Sequence, residues 1–237
     1  CATISQFERC RRPVIPSGTT AIGIDTAIDV NNIGNAGTIA FWYRSNTAWN
    51  DGSARMLFDA SNNLGNSGGS DKHFFLIKDG SGILRFALED SADTDSTASS
   101  VAYNLAANIW HHIAVTWDLP ANRLYIYLDG DTSPVASSIT ASNGVLGNMA
   151  SLYLGAQRMP NLSGTPAGYT TNTANGYMDE IRLYNRALVP LEIEALADLV
   201  HACAATVDHY ELSMPTSSIA CLPTSVIVTA CADASSP

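Results

Sequence analysis

Charge is scarce in this chain: Asp, Glu, Lys and Arg make up 14% of its 237 residues, against roughly 25% in an ordinary soluble domain. Positive charge is scarcer still. Twelve basic residues stand against 22 acidic ones, a formal net of −10. No basic surface is available to displace counterions from phosphates, and nucleic acid is excluded as a partner. Long apolar runs are missing too. Stretches such as residues 113–115 stop far short of the roughly 20 residues that cross a bilayer as a helix, so no membrane span is expected. Cysteine is absent between residues 11 and 202; the five present, Cys1, Cys10, Cys203, Cys221 and Cys231, lie near the two ends. They form no C-x-x-C pair and no zinc-type spacing with histidine, so disulfides in an oxidising, extracellular setting explain them better than metal or redox chemistry. Their odd number leaves at least one thiol free or paired outside the chain. No Lys/Arg-flanked apolar leader opens the sequence, which reads as a mature or excised segment.

What is present is alternation. Apolar residues reach 46%, enough for a core, while Ser, Thr, Asn and Gly supply the polar surface. Period-two segments broken by turn residues signal antiparallel strands, at 38–44, 55–59, 73–78, 82–88, 111–118, 123–129, 151–155 and 176–184. Leu124, Ile126 and Leu128 share one face with Tyr125 and Tyr127 opposite; Ile113, Val115 and Trp117 share another with His112, Ala114 and Thr116 opposite. One face of each goes to a core. Asp129-Gly130, Pro120 and Asn122 supply turn chemistry. Long polar loops are expected at 45–54, 61–72, 90–100 and 159–175; loops of that length carry function or are held by an ion. Pro190 opens a short amphipathic helix through Leu191, Ile193, Leu196 and Leu199, expected to cap one end of a sandwich. Residues 1–203 are read as one domain. After Cys203, HYELS and SVIVTAC give two further strands. So short a tail buries too little to fold alone: residues 204–237 either dock on the first domain or begin a second, Ig-like β domain.

Several phrases in order resemble the laminin-G-like, concanavalin A-type jelly roll of bacterial surface proteins. They are TIAFWYR, IWHHIAVTWD, RLYIYLDG, LYLGA and GYMDEIRLYNRALVPLEIEAL, together spanning about residues 20–200. The tail VDHYELSMPTSSIACLPTSVIVTACADASSP resembles the region after such a domain in MshQ-type proteins of the mannose-sensitive haemagglutinin pilus system. The resemblance implies an all-β, two-sheet antiparallel jelly-roll sandwich in an extracellular or cell-surface protein. It further implies a domain that binds glycans, proteins or nothing known, often with a structural calcium ion.

Asp179 is the most pointed acidic position. Its parity matches Tyr177, Ile181 and Leu183; if that set faces the core, the carboxylate must be hydrogen-bonded, paired or metal-bound. It either accepts backbone N–H groups from a neighbouring loop or joins Asp25 or Asp29 around calcium, an ion suited by hard oxygen donors. The jelly-roll resemblance favours calcium. The loop Glu89, Asp90, Asp93 and Asp95 lacks the glycine and the final glutamate of an EF-hand and reads as solvated. Trp42, Trp110 and Trp117 fall in strand patterns and read as packing residues. Trp49 lies in a polar loop with Asn50, Asp51 and Arg55. That mixture of ring and planar polar groups suits a sugar, although an aromatic anchoring its own loop gives the same pattern. For catalysis, retaining glycosidases need two carboxylates on one face about 5 Å apart, whereas Asp179 and Glu180 are adjacent and diverge in a strand. No nucleophile elbow occurs, and the chain reads as non-catalytic. The N-L-S triplet at Asn161 fits a glycosylation acceptor.

Cys10 and Cys203 bracket the domain body and Cys221 and Cys231 span a hairpin, which suggests those two bridges; Cys1 with Cys10, or Cys231 with a cysteine beyond Pro237, remain alternatives. Three functions stay open. They are glycan or surface-ligand binding through rim loops, a spacer or assembly role beside neighbouring domains or pilus subunits, and, least favoured, polysaccharide cleavage.

Overall fold

The alternating segments pair into two six-stranded antiparallel sheets. In chain order the strands are β1 (Val14–Ile15), β2 (Ile24–Asp29), β3 (Ala36–Ser45), β4 (Arg55–Asp59), β5 (Asn62–Asn63) and β6 (Asp71–Lys72). There follow β7 (Phe74–Lys78), β8 (Ile83–Glu89), β9 (Asp95–Ala102), β10 (Trp110–Asp118), β11 (Arg123–Leu128), β12 (Ala136–Ser138), β13 (Ser151–Leu154) and β14 (Gly176–Tyr184). The first sheet runs β1-β14-β3-β10-β11-β12 and the second β2-β13-β4-β7-β8-β9, with β5 and β6 as a separate ribbon. This computed structural model describes residues 14–15, 23–63, 71–138, 141–158, 170, 172–199, 209–213 and 227–231. Two compact units result, Arg12–Leu199 on one hand and Cys1–Arg11 with Val200–Pro237 on the other.

Between the sheets the inward parities meet. Ile39, Phe41 and Tyr43 from β3, Ile113, Val115 and Trp117 from β10, and Leu124 and Ile126 from β11 pack on Phe58, Phe74, Leu76, Phe86 and Leu88 of the second sheet. Each buried side chain of this size contributes about 1.5–3 kcal/mol. Phe74 meets Trp117 and Phe86 edge-on, with ring centres 5.2 and 5.4 Å apart. Trp117 Nε1 donates to Gly34 O at 3.0 Å, and its ring occupies the space a side chain on Gly37 would need. At the end of β11, Asp129 and Gly130 adopt φ of 55° and 75°, the left-handed turn their sequence announces.

Three local expectations are corrected. The polar stretch 90–100 is not simply a loop, since from Asp95 it is β9, the edge strand, with Ser96, Ala98 and Ser100 turned in and Thr97 and Ser99 out. Small hydroxyl residues carry this period-two pattern without hydrophobicity. In β14 the pairing with β3 shifts between Asp179 and Arg182, and Glu180 has a φ of 53°. This bulge swaps the faces: Met178, Ile181 and Leu183 pack toward the core. Asp179 instead shares the outward parity of Trp42, its pairing partner.

The helix α1 (Pro190–Asp198) does not close an end of the sandwich. It lies on the outer face of the first sheet, where Leu188, Ile193 and Leu196 cover Ala40, Ala114 and Tyr127. Two alanines on neighbouring strands leave the shallow seat it occupies. Pro190 supplies the first helical position, and Glu192 accepts from the Val189 amide at 3.0 Å and from both Arg186 terminal nitrogens.

In the other unit, β15 (His209–Ser213) pairs antiparallel with β16 (Ile227–Cys231), His209 opposite Cys231. Cys1, Cys10, Cys203, Cys221 and Asn161 lie outside the described residues, as do 64–70 of the loop at 61–72 and 159–169 and 171 of the loop at 159–175.

Candidate functional site

Trp49 is not the exposed ring its polar surroundings suggest. It is 0% exposed, edge-on to His111 at 5.4 Å and tilted against Tyr43 at 6.2 Å, so neither face is open to a sugar. The cause lies in β7. The buried Lys78 ammonium donates to Trp49 O at 2.6 Å, Ser53 O at 2.9 Å and Asp51 Oδ1 at 3.2 Å, while Arg55 pairs with Asp51 Oδ2 at 3.0 Å. These bonds draw the loop onto the sheet, and Asn50 alone of the four expected ligand residues projects as a free polar tip. Burial pushes the Asp51 carboxyl up, but the Ser53 amide, Arg55 and Lys78 outweigh it and hold it well below the usual carboxylate range. Burial pushes the Lys78 ammonium down.

Backbone amides occupy one carboxylate oxygen of each of Asp25, Asp29 and Asp179, the residues expected around calcium. Asp25 and Asp29 belong to the second sheet and Asp179 to the first. Asp25 Oδ1 accepts from Ala27 N at 2.8 Å and Asp29 Oδ1 from Asn31 N at 2.9 Å; Asp179 Oδ1 accepts from Glu180 N at 2.8 Å. Among the described residues these three are not gathered within ligand distance of a common ion. The bulge at Glu180 is the reason Asp179 faces outward.

The acidic loop is less solvated than its composition suggests. Glu89 and Asp90 are buried, and the Lys72 ammonium sits among Glu89 Oε1 at 3.1 Å, Asp90 O at 3.0 Å and the Asp93 carboxylate. Asp90 accepts from the amides of Ala92, Thr94 and Asn143. These amides overcome burial and keep its carboxyl below the ordinary value.

The outer face of the first sheet carries what the sequence reading did not single out. Beside α1, a groove of about 440 Å³ is lined by Thr116, Asp118, Arg123, Tyr125, Tyr127 and residues 187–190. Tyr125 and Tyr127 project from one face of β11 with ring centres 6.1 Å apart. Asp118 and Arg123 are cross-strand partners at its edge, and among the described residues Arg123 makes no ion pair. Burial, then the neighbouring Tyr125, raises the Tyr127 phenol. Further along the same face, Arg44 lies 4.3 Å from the centre of the Tyr177 ring and 5.5 Å from that of Trp110, with Trp42 edge-on to His112 at 5.4 Å. Trp42 and Trp110 are therefore surface-facing aromatics rather than core ones. The signal for the groove was the R-x-Y-x-Y spacing at Arg123, Tyr125 and Tyr127, which sends all three side chains out of one face.

Comparison with known proteins agrees with this architecture. The fold resembles the CBM40 module of Ruminococcus gnavus IT-sialidase in its structure with α2,3-sialyllactose: 15% identity, 80% of this chain and 99% of that one, TM-score 0.58. The α2,6-sialyllactose complex of that module gives 16%, 80%, 100% and 0.56. Among curated sequences, the rat "Sushi, von Willebrand factor type A, EGF and pentraxin domain-containing protein 1" is 25% identical over 161 residues, 68% of this chain but 4% of that protein's length. The family model described as the concanavalin A-like lectin/glucanases superfamily matches residues 17–194. With three-quarters of its length so matched and its two sheets arranged as described, this chain belongs to the concanavalin A-like lectin/glucanase superfamily.

Proposed function

We propose that the chain is a non-catalytic, extracellular glycan-binding module whose ligand seats in the groove beside α1. The observation that carries this is the half-buried Tyr125 ring beside Asp118 and Arg123, with Tyr127, buried under α1, as the floor of the groove. Sugar rings present C–H faces that pack on aromatic rings and hydroxyl edges that bond planar polar groups, and a ligand site typically combines an apolar lining with a few such groups. The groove's size falls in the roughly 300–1,000 Å³ range of small-molecule sites. An Arg123 guanidinium with no ion-pair partner among the described residues suits sugars bearing a carboxylate, and the CBM40 modules of similar fold are themselves seen with sialyllactose. Among the described residues Asp118 is the one carboxylate in the lining, where glycoside hydrolysis ordinarily takes two, which supports binding without cleavage. The tail's resemblance to MshQ-type sequences supports a surface- or pilus-associated setting.

A glycan array followed by calorimetry tests the proposal. The intact chain is expected to retain a defined set of glycans, and Tyr125→Ala and Arg123→Ala to weaken the best of them at least about tenfold, or ~1.4 kcal/mol. An array without specific retention favours the spacer role instead. Release of free sugar from a retained glycan would revive the enzyme.

A further inference from the structure

We propose that His73, Glu89 and Asp95 form a site for a divalent transition-metal ion of the zinc type, on the outward face of the second sheet and apart from the groove. The three are members of one cross-strand row. His73 directly precedes β7 and its carbonyl accepts from Glu89 N at 2.9 Å; Glu89 is paired with Asp95 across β8 and β9. Directly opposed residues of antiparallel strands point to the same side, so the backbone gathers the donors. One donor atom from each lies within 4.8 Å of the other two. His73 and Glu89 are 4% and 5% exposed, while Asp95 is open to solvent and gives an ion its way in.

The imidazole supplies an independent observation. His73 Nδ1 is buried without a hydrogen-bond partner, and Nε2 stands 3.8 Å from Glu89 Oε2, beyond hydrogen-bond reach. A buried polar ring left in that state carries an uncompensated desolvation cost, and a metal bond from one nitrogen relieves it. Local charge agrees. The Lys72 ammonium pairs with Glu89 Oε1 and the Asp93 carboxylate, which leaves Glu89 Oε2 on the histidine side and Asp95 without an ion pair to Lys72 among the described residues. The donor set selects the ion: calcium takes roughly six to eight oxygens, whereas one imidazole nitrogen with two carboxylates suits zinc and its first-row neighbours. The bound ion ties together the ends of three strands.

The test uses the full chain stripped with a chelator and titrated with zinc, calcium and cobalt(II). Zinc is expected to bind at one ion per chain and raise the unfolding temperature, calcium to do neither, and cobalt to give the visible absorption of a nitrogen- and oxygen-ligated ion. His73→Ala and Asp95→Asn should each abolish these responses. The exposed Asp95→Asn, checked by circular dichroism, separates lost binding from lost folding. Absence of zinc binding by the unmodified chain overturns the proposal. Equally, retention of the same stoichiometry and shift in both variants would place the ion elsewhere, on cysteines or other histidines, and overturn it.

Discussion

At the scale of single residues, two buried lysines and one tryptophan decide what the loops can do. Trp49 illustrates why the sequence misled: its neighbours are polar, yet the feature that buries it, Lys78, lies 29 positions away, and no local pattern reports that distance. Trp49→Ala is expected to cost about 3–5 kcal/mol, the usual range for emptying a buried aromatic site, read as a lower urea midpoint with an unchanged slope. Glycan binding should survive at temperatures where the variant is folded, because the ring stands outside the groove. Titration adds a second expectation. Asp51, Asp79 and Asp90 are all held below their ordinary values in the folded chain, burial being outweighed in each by hydrogen bonds to amides or cations. Their stabilisation is complete above the unfolded carboxylate range and is lost as pH falls below about 4. Burial raises the Tyr43 phenol to about 12. Its contribution is therefore full below about pH 10 and disappears as pH climbs toward the folded value. Unfolding temperature against pH should show both flanks, and Tyr43→Phe should flatten the alkaline one.

At the scale of elements, alternation made eight strands legible, and the two that deceived did so for physical reasons. β9 hid because Ser, Thr and Ala can alternate in and out of a sheet without a hydrophobic signature. β14 was recognised as a strand but with the wrong face, because a single left-handed residue, Glu180, inverts parity halfway along and strict period-two counting cannot register it. The helix was found at its true start, Pro190, but its seat depends on Ala40 and Ala114, which strand-by-strand reading treats as minor. Ile193 is its fully buried anchor. Ile193→Ala should cost about 2–4 kcal/mol and loosen the wall that residues 187–190 give the groove, so denaturant midpoint and glycan affinity should fall together. On the facing side of the same sheet, Gly37→Ala would drive a methyl into the Trp117 ring. Overpacking there is expected to cost about 1–3 kcal/mol by the same denaturant assay, with ligand affinity unaffected.

At the scale of the whole molecule, the sandwich has an apolar interior, and the proposed groove lies on an outer face, whereas the sequence pointed to the rim loops. Fold class was readable because it rests on many repeated local patterns. The groove proposed for the ligand was not, because it is assembled from β10, β11 and the chain entering α1, segments that meet only after the sheet has formed. The most direct measurement is a heteronuclear NMR titration of the intact chain with its best-retained glycan. Resonance changes centred on Asp118, Arg123, Tyr125 and Tyr127 are the predicted result. Changes centred on the 45–54 loop or on the Arg44–Trp110 end of the sheet, with the groove silent, would contradict it.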